Sequence, residues 1–399
     1  MIERQPIVKN RQKSDACLMP WIHLHVGNEG VVKACCVANI PFGNINDDSL
    51  TKIWNSQAIR TLRNKFRRGE KDNRCVVCHQ AEAADATSLR QETNEKYKHL
   101  LHRIEETEED GTVASLPVYF DVRFSNICNF RCRTCWHGAS SKWFEEAKQL
   151  GNTVGEKTLI LNVKNFADFL EKIKQAGEGL EEIYFAGGEP LVTEEHYQLL
   201  DWLISKKLTK VKLRYNTNFS ILTYKQRNII SYWQQFNKVE VMASIDGTKE
   251  IGEYIRKEMN WHQFEENRKQ LVTVPHVDFK IAPTVSIFNI AHLPALYNYC
   301  VAQKIIGPEG IYFNLLERPH HYNIKTLPLH KKEEVSAIYK VFLGQELPTQ
   351  VRKGFEECLQ FMLVEDLSNK WTKFKQESKK LDSIRGENLQ EIIPFLANS

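Results

Sequence analysis

The strongest constraint in the sequence is the stretch Asn126-Ile-Cys-Asn-Phe-Arg-Cys-Arg-Thr-Cys-Trp136. Its three cysteines, Cys128, Cys132 and Cys135, are spaced C-x3-C-x2-C. Three thiolates are one short of the set that normally closes an iron–sulfur cluster. A cluster held this way leaves one iron with an open position, and an open position on a metal is where chemistry takes place. Two plainer readings use the same residues. One is a zinc site with His137 as a fourth ligand, and the other is three unrelated buried thiols.

The chain of 399 residues has room for two or three domains and a large core. Its 42% hydrophobic and 26% charged residues are ordinary for a globular protein, and a net charge of +4 is too weak to point to nucleic acid. No apolar run is long enough to span a bilayer. The opening Met-Ile-Glu-Arg-Gln-Pro has no apolar segment of the secretory kind. Ten cysteines without an export signal indicate a reducing, cytoplasmic setting and metal ligation more than disulfides.

Five of those cysteines, Cys17, Cys35, Cys36, Cys75 and Cys78, precede residue 80. Pro20 to Val26 alternates like a strand, Asn28-Glu-Gly30 reads as a turn, and Val31 to Ala34 returns, which brings Cys17 and Cys35 to one end of a hairpin. Leu50 to Arg68 has helical spacing and leads the chain back toward Cys75-Val-Val-Cys78, the pair that would complete a four-thiolate site. Neighbouring strand residues point to opposite faces, so Cys35 and Cys36 are alternatives as ligands. A zinc ribbon would use the same four thiolates. The basic run from Arg60 to Arg74 reads first as a solvated helix face. Glu82 to Asp110 reads as an exposed linker helix ending in a turn.

From residue 117 strand and helix patterns alternate. Strands are expected at 118–124, 182–186, 210–215, 238–245, 277–287 and 311–316, with helices between them, which implies a parallel sheet of βα units. Polar or glycine-rich motifs follow the strands, where βα folds place their ligands. They are Gly187-Gly188-Glu189-Pro190, Asn216-Thr-Asn218, Ser244-Ile-Asp-Gly247 and the Val285-Ser286 strand end, with Arg256 a little further on. The loop Arg318-Pro-His-His-Tyr322 supplies His320, His321 and Tyr322 as candidates for substrate contact. Residues 331–344, 349–366 and 370–381 have helical character, and Cys300 and Cys358 read as core thiols.

The C-x3-C-x2-C loop after a strand, followed about fifty residues later by Gly187-Gly188-Glu189, resembles the radical S-adenosylmethionine (SAM) enzymes. The resemblance implies an α/β fold with a partial (β/α)6 TIM-like barrel. It implies a [4Fe–4S] cluster on Cys128, Cys132 and Cys135, with SAM on the fourth iron, and reductive cleavage of SAM to a 5′-deoxyadenosyl radical that abstracts a hydrogen atom from substrate. SAM would be held by Gly187, Gly188 and Glu189 at its ammonium, by Ser244 and Arg256 at its ribose and carboxylate, and by Asn218 beside the adenosine. An aromatic residue often precedes the family's third cysteine, where this chain has Thr134.

The first eighty residues resemble the SPASM/twitch auxiliary-cluster modules. The matching residues are Cys17, Gly30, Cys35, Gly43-Asn-Ile45, Leu50-x2-Ile-Trp-Asn-Ser56, Arg63-x2-Phe66, Gly69, Cys75 and Cys78. Four candidate ligands correspond to the shorter, twitch form and imply one auxiliary iron–sulfur cluster. In the family the module usually follows the barrel; here it precedes it. The expected organisation is a cluster module at 1–80, a linker helix at 81–116, the radical SAM core at 117–320 and a helical extension at 321–399. The implied partners are an electron donor such as flavodoxin or ferredoxin and a substrate. The substrate class suggested first is a ribosomally made peptide or protein, and second a small molecule such as a sugar, nucleotide or cofactor precursor. The rival of another class is a non-catalytic iron–sulfur or zinc scaffold.

Overall fold

Two compact units, Met1–Arg123 with Leu161–Tyr184 and Phe124–Ile160 with Phe185–Ser399, make up the chain in this computed structural model, which describes residues 16–83 and 87–397. The opening hexapeptide and residues 84–86 of the expected linker lie outside the described residues.

In the first unit, strand β1 (His23–Val26) runs antiparallel to β2 (Val31–Lys33), which pairs antiparallel with β3 (Pro41–Asn44). The other edge of β1 is parallel to β4 (Tyr119–Val122), and there His25 sits opposite Asp121. Strand β5 (Glu182–Phe185) follows β4 in the sheet and carries the chain out of the unit. The expected strand begins three residues late. Met19–Ile22 is a buried helical turn with Pro20 in its first turn, a position where proline's missing N–H costs nothing.

The expected helix over 50–68 is two helices, Leu50–Trp54 and Gln57–Arg67, because Asn55 is drawn into tertiary bonds. Its amide donates to the Val113 carbonyl (3.0 Å), while its Oδ1 accepts from Val113 N (3.1 Å) and Arg63 (3.0 Å). Arg63 is fully buried on backbone carbonyls, whereas Arg60, Arg68 and Arg74 pair with Asp110, Glu70 and Asp72, so much of the basic run is neutralised locally. The linker is not one exposed helix. It is divided into Leu89–Lys96, started by a Ser88–Gln91 capping box, and a 3-10 segment, Lys98–Ile104. Tyr97 and Leu100 are buried, and the Tyr97 hydroxyl bonds Glu182 (3.0 Å).

The second unit is built on parallel strands β6 (Lys212–Thr217), β7 (Val239–Ala243) and β8 (Val277–Ile281), with β7 in the middle. Helix Glu194–Ser205 precedes β6, helices Lys249–Ile255 and Trp261–Gln270 lie between β7 and β8, and Leu293–Ala302 follows. The expected strand over 277–287 stops at Ala282-Pro283, since proline has no N–H to donate to the ladder. It resumes as β9 (Thr284–Val285), parallel to β10 (Asn314–Leu315). The protein is α/β, with the strand–helix order of a partial TIM-like barrel. Helices Leu329–Leu343, Thr349–Leu363 and Trp371–Arg385 follow, and Cys300 and Cys358 are buried. Among the described residues, no helix is long and apolar enough to cross a membrane.

Candidate functional site

The cysteine loop of the second unit is fixed by side chains that satisfy its backbone, as buried peptide groups require. Asn126, 2% exposed, donates to the carbonyls of His137 and Thr158 (both 3.0 Å) and accepts from Ile160 N (2.9 Å). Ser140 donates to the Phe130 carbonyl (2.6 Å), and the Trp143 indole donates to that of Cys132 (2.7 Å). The amides of Arg131 and Arg133 donate to Lys257 O (3.2 Å) and Ile255 O (2.7 Å), so the loop lies along the segment that carries Arg256.

All three thiols of the loop are half-buried. Burial pushes each of them up, Cys135 to about 12, and the charge on Cys132 raises Cys128 and Cys135 further. Three thiols that resist ionising together suit a positively charged partner that takes their protons' place. Trp136, next to Cys135 on the side opposite Thr134, is 52% exposed. Its ring lies over Gly138, where an added Cβ would come within 2.2 Å, and it meets His137 edge-on (5.1 Å).

The Gly-Gly-Glu loop packs against the approach to Cys128. Gly188 N donates to Ser125 O (3.2 Å) and Glu189 N to Ile127 O (2.7 Å). A Cβ on Gly188 would fall 2.0 Å from the Ile127 carbonyl oxygen, so only glycine allows this approach. Gly187 adopts φ 109, which also favours glycine. Glu189 is buried, and its carboxyl accepts from Leu191 N (3.0 Å), the Thr217 hydroxyl (2.6 Å) and Asn218 N (2.6 Å). Burial raises its pKa to about 7, although these neutral donors pull the other way. A buried carboxyl with neutral partners and a raised pKa is a natural seat for a cation.

Asn218 is already engaged: its amide donates to Asn129 (2.8 Å), and its oxygen accepts from Ser220. Ser244 is half-buried just past β7, with its N–H on Thr217 O (2.7 Å). Arg256 is held by Asp246, with Nε 2.9 Å from Oδ2 and Nη2 3.1 Å from Oδ1, and its Nη1 points at the Cys132 sulfur (3.6 Å). Burial alone would lower Arg256, and the Asp246 carboxylate more than offsets that. Asp246 also accepts from Thr284 N (2.7 Å), and Asn289 holds its carbonyl (3.0 Å). Asp246, Asn129 and Thr217, which hold these candidate groups, were not themselves among the candidates read from the sequence. Asp246 and Thr217 lie inside the strand-end motifs Ser244–Gly247 and Asn216–Asn218, and Asn129 directly follows Cys128. Tyr322 packs on Phe288 (5.0 Å), and burial lowers His321 to about 4.

In the first unit, Cys17, Cys75 and Cys78 are half-buried and Cys35 is buried. Burial raises all four thiols, and the charges of Cys35, Cys78 and Cys75 add to the rise at Cys17. Backbone N–H groups oppose it, from Met19 at Cys17, from Ala38 and Val37 at Cys35, and from Arg90 and Leu89 at Cys78. Donors of this kind favour thiolate. Cys36 is exposed and belongs to different surroundings, where the neighbouring charge that raises it most is that of Asp121. Cys35 is therefore the member of the adjacent pair that shares a field with Cys75 and Cys78. Among the described residues, no three His, Cys, Asp or Glu side chains converge closely enough to hold a single metal ion.

Comparison with known proteins adds two family matches. Residues 17–80 match the model of SPASM, an iron–sulfur cluster-binding domain, and residues 122–279 that of the Radical SAM superfamily. A curated relative, GTP 3′,8-cyclase of Campylobacter lari, is 28% identical over 132 residues, which is 33% of this chain and 35% of the relative. The chain thus matches about a third of that relative's length. Among solved structures, Streptococcus suis SuiB bound to S-adenosylmethionine is 13% identical with a TM-score of 0.39, over 72% of this chain and 59% of that one. Native anSMEcpe with bound AdoMet is 20% identical with a TM-score of 0.40, over 62% and 67%.

Proposed function

Since residues 122–279 match the Radical SAM superfamily and residues 17–80 the SPASM iron–sulfur domain, we propose that the chain is a radical SAM enzyme that cleaves SAM and abstracts a hydrogen atom from a peptide or protein. The observation that carries this reading is the contact of the Gly-Gly-Glu loop with the residue before Cys128, which brings a buried carboxyl close to the first thiol of the cysteine loop. When bound, a [4Fe–4S] cluster and SAM supply one-electron cleavage of the sulfonium and the hydrogen-abstracting power that follows from it.

The chain's own residues do the holding. Cys128, Cys132 and Cys135 are the proposed cluster ligands, which leaves one iron for SAM. Glu189 takes the ammonium of SAM in a charge-assisted bond, and Gly187 and Gly188 keep side chains out of its way. Arg256, already ion-paired with Asp246, turns one N–H toward Cys132 and has less to offer the SAM carboxylate than its sequence position suggests. Ser244 and Asn218 are assigned to the ribose and adenosine side. Cys17, Cys35, Cys75 and Cys78 are the proposed ligands of an auxiliary cluster. An electron donor of the flavodoxin or ferredoxin type and a cytoplasmic, reducing setting complete the proposal.

A second reading, a small-molecule substrate of the nucleotide kind, is favoured by the similarity to GTP 3′,8-cyclase. One experiment tests the common core of both: anaerobic reconstitution followed by dithionite and SAM. The account requires release of 5′-deoxyadenosine, whereas a scaffold that merely binds metal releases none.

A further inference from the structure

The two arginines between Cys128 and Cys135 are anchored far along the chain. Arg133, with a fully buried side chain, donates to Asp382, to Glu387 (2.5 Å) and to the Tyr254 carbonyl (3.1 Å), and its guanidinium lies 3.6 Å from the Tyr254 ring centre. Arg131 pairs with Glu146 (2.8 Å). The same Glu146 takes Arg385 (2.7 Å), which reaches past it to the Arg131 carbonyl (2.5 Å).

Asp382 and Arg385 stand in the last turns of helix Trp371–Arg385, which ends at Gly386 in the left-handed conformation. Asp382 closes that end by accepting from Leu389 N (2.8 Å). These residues lie outside the matched stretch 122–279. Replacing a buried ion pair by apolar residues often leaves stability unchanged or improved, so stability alone is a weak account of these pairs; in some proteins buried polar groups fix a register instead. The guanidinium also has electrostatic reach. The Arg385 Nη2 that meets the Arg131 carbonyl (2.5 Å) brings its positive charge to the residue directly before Cys132.

Resting on the cluster reading above, we infer that helix 371–385 is a positioning brace for the cysteine loop, with Asp382 and Arg385 fixing the backbone at Arg131–Arg133 and Arg385 favouring the reduced state of the bound cluster. Reduction adds negative charge, and net charge near a cluster is one of the levers on its potential.

The test uses the full chain in two forms. Without iron, amide exchange over residues 129–136 is compared in wild type, Arg385→Gln and the isosteric Asp382→Asn. Both variants are expected to exchange about tenfold faster there, with distant segments unchanged. With iron, the midpoint potential of the SAM-responsive signal is expected to fall in Arg385→Gln and to return in Arg385→Lys, which keeps the charge but loses the fork. Unchanged exchange in both variants overturns the brace, and an unchanged potential in Arg385→Gln overturns the charge effect. Should the wild-type loop take up no cluster, the functional reading fails, while the exchange measurement still decides the brace.

Discussion

Adding a single methyl group at Gly188 should disable the site without touching any proposed ligand. The Cβ of Gly188→Ala would stand 2.0 Å from the Ile127 carbonyl oxygen and 2.6 Å from its carbon, both backbone atoms that cannot rotate away. Real Cβ contacts are essentially never closer than 3.0 Å, so one loop must move by at least 3.0 − 2.0 = 1.0 Å. The next residue is joined across the same gap by the 2.7 Å bond from Glu189 N to Ile127 O, and a shift of that size along it breaks the bond. Overpacking of this kind costs about 1–3 kcal/mol and the lost bond about 1 kcal/mol more, a destabilisation that the fold should survive. The functional effect should be larger, since misplacing reacting groups by about 1 Å costs about a hundredfold in rate. The assay is 5′-deoxyadenosine release per iron bound, next to Gly179→Ala, where an added methyl meets open space. Release by Gly188→Ala within about twofold of wild type would refute the reasoning that this contact positions the chemistry.

Burial of Glu189 also makes SAM binding depend on pH. Its carboxyl titrates near 7 in the unliganded fold, against 4.5 for an exposed glutamate, so the fold without SAM loses stability as pH rises through that window. SAM needs the ionised form, so its affinity should fall about tenfold per unit below about pH 7 and level off above; a flat binding curve would contradict the assignment. Glu189→Gln should remove that dependence and weaken binding by about a hundredfold or more, because an amide N–H would confront the Asn218 N–H and no charge would remain for the ammonium. In the first unit, Cys35→Ala should lower iron content by about one cluster, and Cys36→Ala should leave it unchanged. Equal loss from both would show that the thiols are misassigned. Cys75→Ala should likewise remove about one cluster while SAM cleavage persists.

What could be read in the sequence was what lies close together in it. Cys128, Cys132 and Cys135 sit within one loop, and Gly187-Gly188-Glu189 stands at the end of an apolar strand, so both motifs can be picked out by spacing and the family resemblance suggests their chemistry. The break at Asn55 was not legible, because the partner that draws Asn55 out of the helix is Val113. The linker reading failed for a similar reason: Tyr97 and Lys96 look solvent-bound until Glu182 is folded against them. The strand at 277–287 could have been divided at Pro283 by the rule that proline cannot donate to a ladder. Arg133 gave no sign of its role, since its partner Asp382 lies 249 residues away.

The central claim is that Cys128, Cys132 and Cys135 hold a cluster with one iron free to bind SAM. Electron paramagnetic resonance of the anaerobically reconstituted, reduced protein tests it most directly, with and without SAM and with Cys132→Ala alongside. The account predicts a [4Fe–4S] signal that changes when SAM is added and is missing in Cys132→Ala. A signal indifferent to both, or zinc in place of iron on those thiolates, would contradict it.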